Sequence, residues 1–358
     1  MQWRLARWLI FILIVLNATL LWAGLGYDLD EDCDVDGLDL YELLSTAGLS
    51  IGDNLRDFAG EFGSLQNCCD PTGVGTPING YPGWQERAMV VFTNMVRMAP
   101  VAYRDTYMAG YQYPTGDILE QYPAAPPLFW NYELNQAARF HAEDLAFNCQ
   151  TLQHDSCDGT SWSTRIHGFY PYQVALGENV AYGFASPWAT VNAFLCDRYG
   201  SACAPDSPDA TGRDGHRKNI MSAQYMELGT GYAQGSWKYW VQDFGGRQPD
   251  SRPALVSATH AFLEDGVTSF FLNYFDSSGG APLETLLVID DIPYALELDT
   301  GTAAAGTYRV DVDSASDCRS YYFRATTANG TCYRYPAASE FYTYGEGSCL
   351  LDYDASPE

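Results

Sequence analysis

Six short segments, arranged in a distinctive order between residues 86 and 246, constrain the fold of this chain more than any other feature. They are Asn94-x-x-Arg97, an apolar helical pattern around residues 134–145, His154, Gly177-Glu178-Asn179, Gly215-His216-Arg217-Lys218-Asn219-Ile220, and Tyr239-Trp240-Val241-Gln242-Asp243-Phe244-Gly245. The histidines and acidic residues lie beside small or structure-breaking residues, whose backbone freedom allows the segments that carry them to approach one another. Imidazole groups near carboxylates are typical of a divalent metal site or an acid–base pair.

The length and charge of the chain limit its class and its partners. At 358 residues it is too long for one ordinary domain, and 47% hydrophobic residues supply material for more than one core. The formal net charge of −26 disfavours nucleic acid and anionic membrane surfaces as partners and favours a cation. The same charge also fits a soluble, self-repelling extracellular surface.

The first 26 residues have the pattern of an export signal. Arg4 and Arg7 precede an apolar run from residue 8 to about residue 26, where two glycines fit a cleavage site. The run approaches the length of a membrane span, so an uncleaved anchor is the alternative. Both interpretations predict a secreted or cell-surface protein, with attachment through the N-terminus in the second case.

The cysteines indicate disulfide bonds. There are ten, an even count that is typical of disulfide pairing in an exported protein. We predict two local bonds, Cys149–Cys157 and Cys196–Cys203. A zinc cluster of thiolates is the weaker interpretation, because no pair has the two-residue spacing that such sites favour.

Residues 27–70 begin with an acidic loop and continue as a short helical segment. The carboxylates at loop positions one, three, five, nine and twelve are Asp28, Asp30, Asp32, Asp36 and Asp39. This pattern resembles a dockerin-type calcium loop, with Val35 as its hydrophobic anchor, although Cys33 replaces the expected glycine and only one copy is present. We predict calcium binding here, with an acidic linker as the alternative.

The rest of the chain divides into two predicted domains. Residues 71–84 are rich in glycine and proline and predict a linker, which the unit 85–248 follows. A second linker precedes residues 254–358, where short strands are predicted at 269–275, 286–289, 294–298, 307–312, 321–326 and 331–335. Asn329-Gly330 is a two-residue hairpin signal between the last two. These features predict an immunoglobulin-like β-sandwich that serves binding, spacing or surface display.

The six segments resemble the CAP superfamily (cysteine-rich secretory proteins, antigen 5 and pathogenesis-related proteins). The resemblance implies a three-layer α/β/α sandwich whose large cleft holds two histidines and two acidic residues. His154 and His216 match the histidines, and Glu178 matches the acid of the Gly-Glu-Asn motif. Asp197 is the candidate for the second acid, where glutamate is usual in the family. The residues also allow a purely structural interpretation, in which Glu178 braces the backbone.

Three functions are compatible with this pattern. The resemblance favours a secreted CAP module without enzymatic activity, whose cleft binds a divalent metal, a lipid, a peptide or another small ligand. The first alternative is a zinc-dependent hydrolase or peptidase, with zinc on His154 and His216 and Glu178 as general base. Two histidines, however, fall one ligand short of the usual catalytic zinc site unless a carboxylate joins them. The second alternative is a structural or adhesion protein of the cell surface.

Overall fold

The computed structural model describes residues 75–111, 118–197, 202–207, 214–336 and 341–345. The predicted export signal and the calcium-loop residues Asp28, Asp30, Asp32, Asp36 and Asp39 lie outside these ranges. The chain divides into two compact units, Met1–Pro71 and Thr72–Glu358, and every described residue belongs to the second. Within the described residues, no helix has the length and apolar character needed to cross a membrane.

Six α-helices lie in the first part of this unit. They are α1 (Trp84–Met98), α2 (Pro100–Tyr107), α3 (Tyr132–Asp144), α4 (Trp162–Phe169), α5 (Pro187–Cys196) and α6 (Gly215–Met221). Asn131, Ser161 and Ser186 begin three of them by accepting a backbone N–H of the first turn through the side-chain oxygen. Proline occupies the start of α2 and of α5, where its missing N–H costs nothing. After α3 the chain makes a π-helical turn over Leu145–Cys149.

A four-stranded sheet lies between these helices. Its strands are β1 (Phe129–Trp130), β2 (Leu176–Tyr182), β3 (Glu227–Gln234) and β4 (Lys238–Gly245), in the order β1-β3-β4-β2. Ala138 and Ala142 of α3 pack with Val180 and Val241 on one face. Helices α1 and α5 cover the other face, and Phe194 and Trp240 belong to that core. The predicted three-layer α/β/α sandwich is confirmed, and β2 forms one edge of its sheet.

Two glycines of β3 allow α3 to lie directly on the sheet. A Cβ atom at Gly229 would collide with the backbone of Leu134, and one at Gly231 would collide with the backbone of Ala138. The side-chain hydrogen alone leaves room for the helix backbone at these positions.

The second part of the unit consists of two antiparallel sheets. The strands are β5 (Leu255–Glu264), β6 (Val267–Phe275), β7 (Glu284–Ile289), β8 (Ile292–Ala295), β9 (Glu297–Thr302), β10 (Ala305–Asp313), β11 (Arg319–Thr326), β12 (Cys332–Tyr335) and β13 (Tyr342–Tyr344). One sheet has the order β5-β6-β10-β9, and the other has β12-β11-β7-β8, with β13 also paired to β11. These are the A-B-E-D and G-F-C-C′ orders of an immunoglobulin-type sandwich, so that prediction is confirmed.

Three local predictions in the sandwich need correction. Residues 294–298 were expected to form one strand, but the chain leaves one sheet at Ala295 and enters the other at Glu297. Strand β5 was not predicted, because its buried Ser257 and Thr259 interrupt the apolar pattern. The Asn329-Gly330 hairpin is present, but its loop has five residues and is closed by the Thr327 N–H donating to Thr331 O at 2.9 Å.

The CAP-like part and the sandwich share one core. Phe271 of β6 is fully buried and lies against Phe92 of α1 and Tyr107 of α2, with ring centroids 5.3 and 6.3 Å apart. Nearby, Trp84 of α1 stacks on His260 of β5 at 5.4 Å. The residues 249–253 that connect the two parts have no helix or strand, but the surfaces on either side of them pack as an interior does.

Replacing Phe271 by alanine tests this shared core. We expect the Phe271→Ala variant to lose about 3–5 kcal/mol of unfolding free energy, because a buried phenyl ring leaves a cavity between the two parts. Urea unfolding followed by tryptophan fluorescence measures the loss. The matched control is Phe147→Ala, whose ring is 59% exposed and whose removal should change stability by less than about 0.5 kcal/mol. Similar losses in both variants would contradict a shared core.

Candidate functional site

The Gly-Glu-Asn segment places three different groups along the edge strand β2. A Cβ atom at Gly177 would collide with the ring of Tyr225, whose hydroxyl donates to Leu176 O at 3.0 Å. Successive side chains of a strand point to opposite faces. Glu178 therefore lies on the α3 face with Val180, and Asn179 points to the opposite face, where it donates to Gln242 Oε1 at 3.0 Å.

Glu178 and His154 form the first histidine–carboxylate pair. His154 Nδ1 lies 2.7 Å from Glu178 Oε1, and the Arg165 guanidinium binds Glu178 Oε2. Arg165 also donates to the backbone carbonyl of His154 at 2.9 Å. The Glu178 side chain is only 1% exposed, whereas His154 is 50% exposed. The carboxylate is thus held at both oxygens, and the imidazole is oriented toward solvent.

A network around the end of α3 holds the His154 loop in place. The predicted disulfide Cys149–Cys157 is present and closes the loop. Asp144 accepts the Cys157 N–H at 2.7 Å, and His141 Nε2 lies 2.9 Å from the carbonyl oxygen of Gln153. His141 is fully buried, and this burial lowers its pKa. These contacts hold the backbone of the loop that carries His154 in place.

Asp197 and His216 form the second histidine–carboxylate pair. Asp197 follows the last residue of α5 in a left-handed conformation with φ of 45°. Its Oδ1 lies 2.6 Å from His216 Nδ1, and its Oδ2 accepts the His216 N–H at 2.8 Å. The predicted Cys196–Cys203 disulfide, present beside it, ties the end of α5 to the following loop. The shorter aspartate therefore reaches the histidine.

Two asparagines connect the two pairs through the backbone of β2. Asn219 donates to Glu178 O at 3.1 Å and to Asn179 Oδ1 at 2.9 Å. Asn179 in turn donates to His216 O at 3.2 Å. All four predicted cleft residues thus flank one short stretch of the edge strand. Neither asparagine was assigned to the site from the sequence, although both lie within its motifs.

Both histidines commit Nδ1 to a carboxylate, and this arrangement leaves Nε2 of each ring for a ligand. A metal-binding histidine in proteins almost always has such a partner on its other nitrogen. Within the described residues, the one group of three potential ligand atoms mutually within 4.8 Å belongs to Asp144, Cys149 and Cys157, and the two cysteines form a disulfide. Among the described residues, neither His154 nor His216 belongs to a group of three potential ligands.

A cavity of about 340 Å³ extends from the second pair along β2. It is lined by Tyr111, Leu152, Val180, Ala181, Tyr182, Phe184, Ala193, Phe194, Cys196, Asp197 and His216. The polar atoms of Asp197 and His216 lie at one wall, and the rest is mostly apolar. Such a cavity suits a ligand that combines one polar group with an apolar body.

Asp243 lies behind the first pair and was not recognised as part of the site. It is opposite Glu178 in the β2–β4 register and is completely buried, and neither of its oxygens receives a hydrogen bond from the described residues. Burial, and then the Glu178 charge, raise the pKa of Asp243 well above its usual range, while Arg165 acts in the opposite sense. Burial and the neighbouring Glu178 charge therefore favour the protonated form of Asp243.

Replacing Asp243 by asparagine tests this assignment. An acid with a raised folded pKa contributes stability below the usual value of 3.8 and loses it as the pH rises above that value. Asparagine is neutral at every pH. The unfolding free energy of the Asp243→Asn variant should therefore rise relative to that of the wild type by about 1.4 kcal/mol per pH unit, from pH 3.8 up to the pKa of Asp243 in the folded protein. Urea unfolding at pH 4, 5.5 and 7 measures this trend.

The matched control is Asp313→Asn at the exposed end of β10, for which we expect no comparable trend. A stability difference between Asp243→Asn and the wild type that stays constant across this pH range would contradict a protonated Asp243.

The family profile described as "Cysteine-rich secretory protein family" (CAP) matches residues 93–244. None of the curated proteins matches the chain.

Several solved structures are similar over part of the chain. An extracellular Bacillus anthracis protein with an SCP domain is 20% identical with a TM-score of 0.28, and the match covers 43% of this chain and 40% of that one. Venom allergen-like protein 4 of Schistosoma mansoni is 16% identical with a TM-score of 0.28, over 47% and 92%. The structure described as NaASP2 with Zn2+ is 16% identical with a TM-score of 0.30, over 48% and 84%. The chain thus spans less than half of the Bacillus anthracis protein.

The profile match includes Asn94, Arg97 and all four cleft residues, and it ends at Phe244 within β4. Residues 93–244 of this chain therefore form a domain of the CAP family, to which a C-terminal immunoglobulin-like sandwich is joined.

Proposed function

We propose that this protein is a secreted binding module whose CAP cleft holds a divalent transition metal on Nε2 of His154 and His216. The observation that carries the proposal is the pair of Nδ1–carboxylate hydrogen bonds, at 2.7 and 2.6 Å. Each bond fixes the ring orientation and makes the opposite nitrogen more basic. Imidazole nitrogens in this state suit zinc and neighbouring transition metals.

Two protein ligands leave several coordination positions for water or for a ligand. Glu178 and Asp197 act as hydrogen-bond acceptors for the rings, and no third protein ligand is needed for this role. The apolar cavity beside His216 favours an organic ligand whose polar group reaches the metal and whose apolar body lies along Phe184 and Phe194. Such a ligand is the second candidate occupant of the cleft.

The hydrolase alternative is the weaker one on this geometry. A general base must be able to reach the proton that it removes. Glu178 has one oxygen on His154 and the other on Arg165, and its side chain is 1% exposed. We therefore assign Glu178 to the orientation of His154 and do not propose an enzymatic activity.

The flanking segments would then handle attachment and display. The N-terminal segment would export the protein or anchor it, and the acidic loop of Asp28, Asp30, Asp32, Asp36 and Asp39 would bind calcium. The immunoglobulin-like sandwich presents an exposed surface on the far side of the shared core. An adhesion role for the whole chain is also compatible with these roles of the flanking segments.

Zinc titration of the full chain by calorimetry tests the metal site. Calcium is kept in excess so that the acidic N-terminal loop does not contribute zinc heats. We expect one saturable zinc site in the wild type and its loss in the His154→Ala/His216→Ala variant, since no other imidazole pair lies in the cleft. The matched control is His167→Ala, a histidine of α4 outside the cleft, which should bind zinc as the wild type does.

An Asp197→Asn variant tests the carboxylate separately. Because the amide is a poorer acceptor for the His216 ring, we expect zinc affinity to fall about 10- to 100-fold. Circular dichroism confirms that each variant is folded. Equal zinc heats in the wild type and the double-histidine variant would contradict the metal site, and would turn attention to the organic ligand.

A further inference from the structure

A second cavity, of about 440 Å³, lies where the CAP domain meets the sandwich. Its CAP side includes Arg97, Pro126, Pro127, Phe129, Ala223, Tyr225 and Met226, and its sandwich side includes Arg252, Phe275, Asp276, Asn329 and Tyr333. It shares no lining residue with the cavity beside His216. Two independent features of this junction cavity, its unpaired cations and its apolar walls, point to the same class of ligand.

The first feature is a buried guanidinium without a carboxylate. Arg97 is 1% exposed, and it donates through Nε to Pro126 O at 2.8 Å and through Nη1 to the carbonyl oxygens of Ile220 and Ser222. It forms no ion pair and no Nη2 hydrogen bond among the described residues. Burial lowers its pKa to about 10, since no nearby anion compensates the charge. A buried charge without a counter-ion is unfavourable unless a ligand supplies one.

A second cation lines the same cavity. The exposed Arg252 has one contact, with Met226 Sδ at 3.6 Å, and no ion pair within the described part of the chain. Acidic residues outnumber basic ones 45 to 19, so two guanidinium groups without carboxylate partners at one cavity need an explanation. The carboxylate in the lining belongs to Asp276, whose Oδ1 accepts both the N–H and the hydroxyl of Ser278.

The second feature is the apolar wall. Phe129, Phe275 and Tyr333 are half-buried and contribute to the lining, and Pro126 and Pro127 add rigid apolar surface. Aromatic and proline rings make flat contacts with planar ligands. The cavity volume of about 440 Å³ lies within the range of small-molecule sites.

We propose that this junction cavity binds a small organic anion. Its charged group is held by Arg97 and Arg252, and its flat apolar body lies against Phe129, Phe275 and Tyr333. The contact between the charged group of the ligand and the guanidinium groups orients the ligand. The apolar contact removes the apolar surface of the ligand from water. Because both domains contribute to the wall, the ligand also bridges the CAP domain and the sandwich. This site is independent of the metal site in the CAP cleft.

Binding of 8-anilinonaphthalene-1-sulfonate to the full chain tests the proposal, because this probe is a planar aromatic anion whose fluorescence rises in apolar surroundings. We expect saturable binding to the wild type that weakens as salt is added. The Arg252→Gln variant should raise the dissociation constant about tenfold or more, through the loss of a charge-assisted contact. The Ala223→Trp variant, which fills the exposed rim of the cavity, should also abolish most of the binding.

Three controls make the outcome decisive. Arg319→Gln removes an exposed cation that does not line the cavity, and it should leave the dissociation constant unchanged. The His154→Ala/His216→Ala variant should also bind as the wild type does. The uncharged analogue N-phenyl-1-naphthylamine should bind the Arg252→Gln variant and the wild type with the same affinity.

The proposal is overturned if the wild type shows no saturable binding, or if Arg252→Gln and Ala223→Trp both bind normally. It is equally overturned if the double-histidine variant alone loses the probe, because the ligand would then occupy the CAP cleft.

Discussion

The position of β2 at the edge of the CAP sheet is the constraint on which the candidate site depends. Because side chains alternate along a strand, two consecutive residues of the Gly-Glu-Asn segment reach opposite faces. Glu178 meets His154 on one face, and Asn179 supports the His216 turn on the other. An interior strand would be flanked by neighbours on both sides, and the histidine loops could not approach its backbone. The hydrogen bond from Asn219 to Glu178 O uses a carbonyl that only an edge strand leaves available.

The electrostatics of the first pair follow from the same placement. Glu178 is buried beside another carboxyl group, Asp243, so two negative charges would lie together away from the protein surface. Arg165 compensates one charge, and the raised pKa of Asp243 favours the neutral form of the other carboxyl group. The Glu178 carboxylate can therefore remain an acceptor for His154. This arrangement explains why Arg165 of α4, which lies between His154 and Glu178 in the sequence, is part of the site.

Much of this was predictable from the sequence, and the failures have physical causes. The short motifs identified the CAP fold through their resemblance to that family, and the four residues chosen with them form two histidine–carboxylate pairs. Local spacing also indicated both disulfides, since each closes a loop of fewer than ten residues. Asp243 was missed because only the register of β2 against β4 brings it beside Glu178. Arg165 was missed because its contact with Glu178 joins α4 to β2 and no sequence motif contains both residues. Strand β5 was missed because the buried Ser257 interrupts its apolar pattern. The Ser257 hydroxyl donates to Asn273 of β6 and accepts from Asn94 of α1, and a local sequence window shows neither contact.

Asn94 and Arg97 lie three residues apart on α1, within a motif typical of the CAP fold, yet in this chain both face the junction with the sandwich. Asn94 joins the two parts directly, because its side-chain amide donates to Leu128 O in the CAP domain and to Ser257 Oγ in the sandwich. Among the described residues, Arg97 donates to neutral carbonyl oxygens, and it also lines the junction cavity. Helix α1 therefore holds the two parts together at Asn94 and, one turn later, places a buried guanidinium at the wall of the cavity between them.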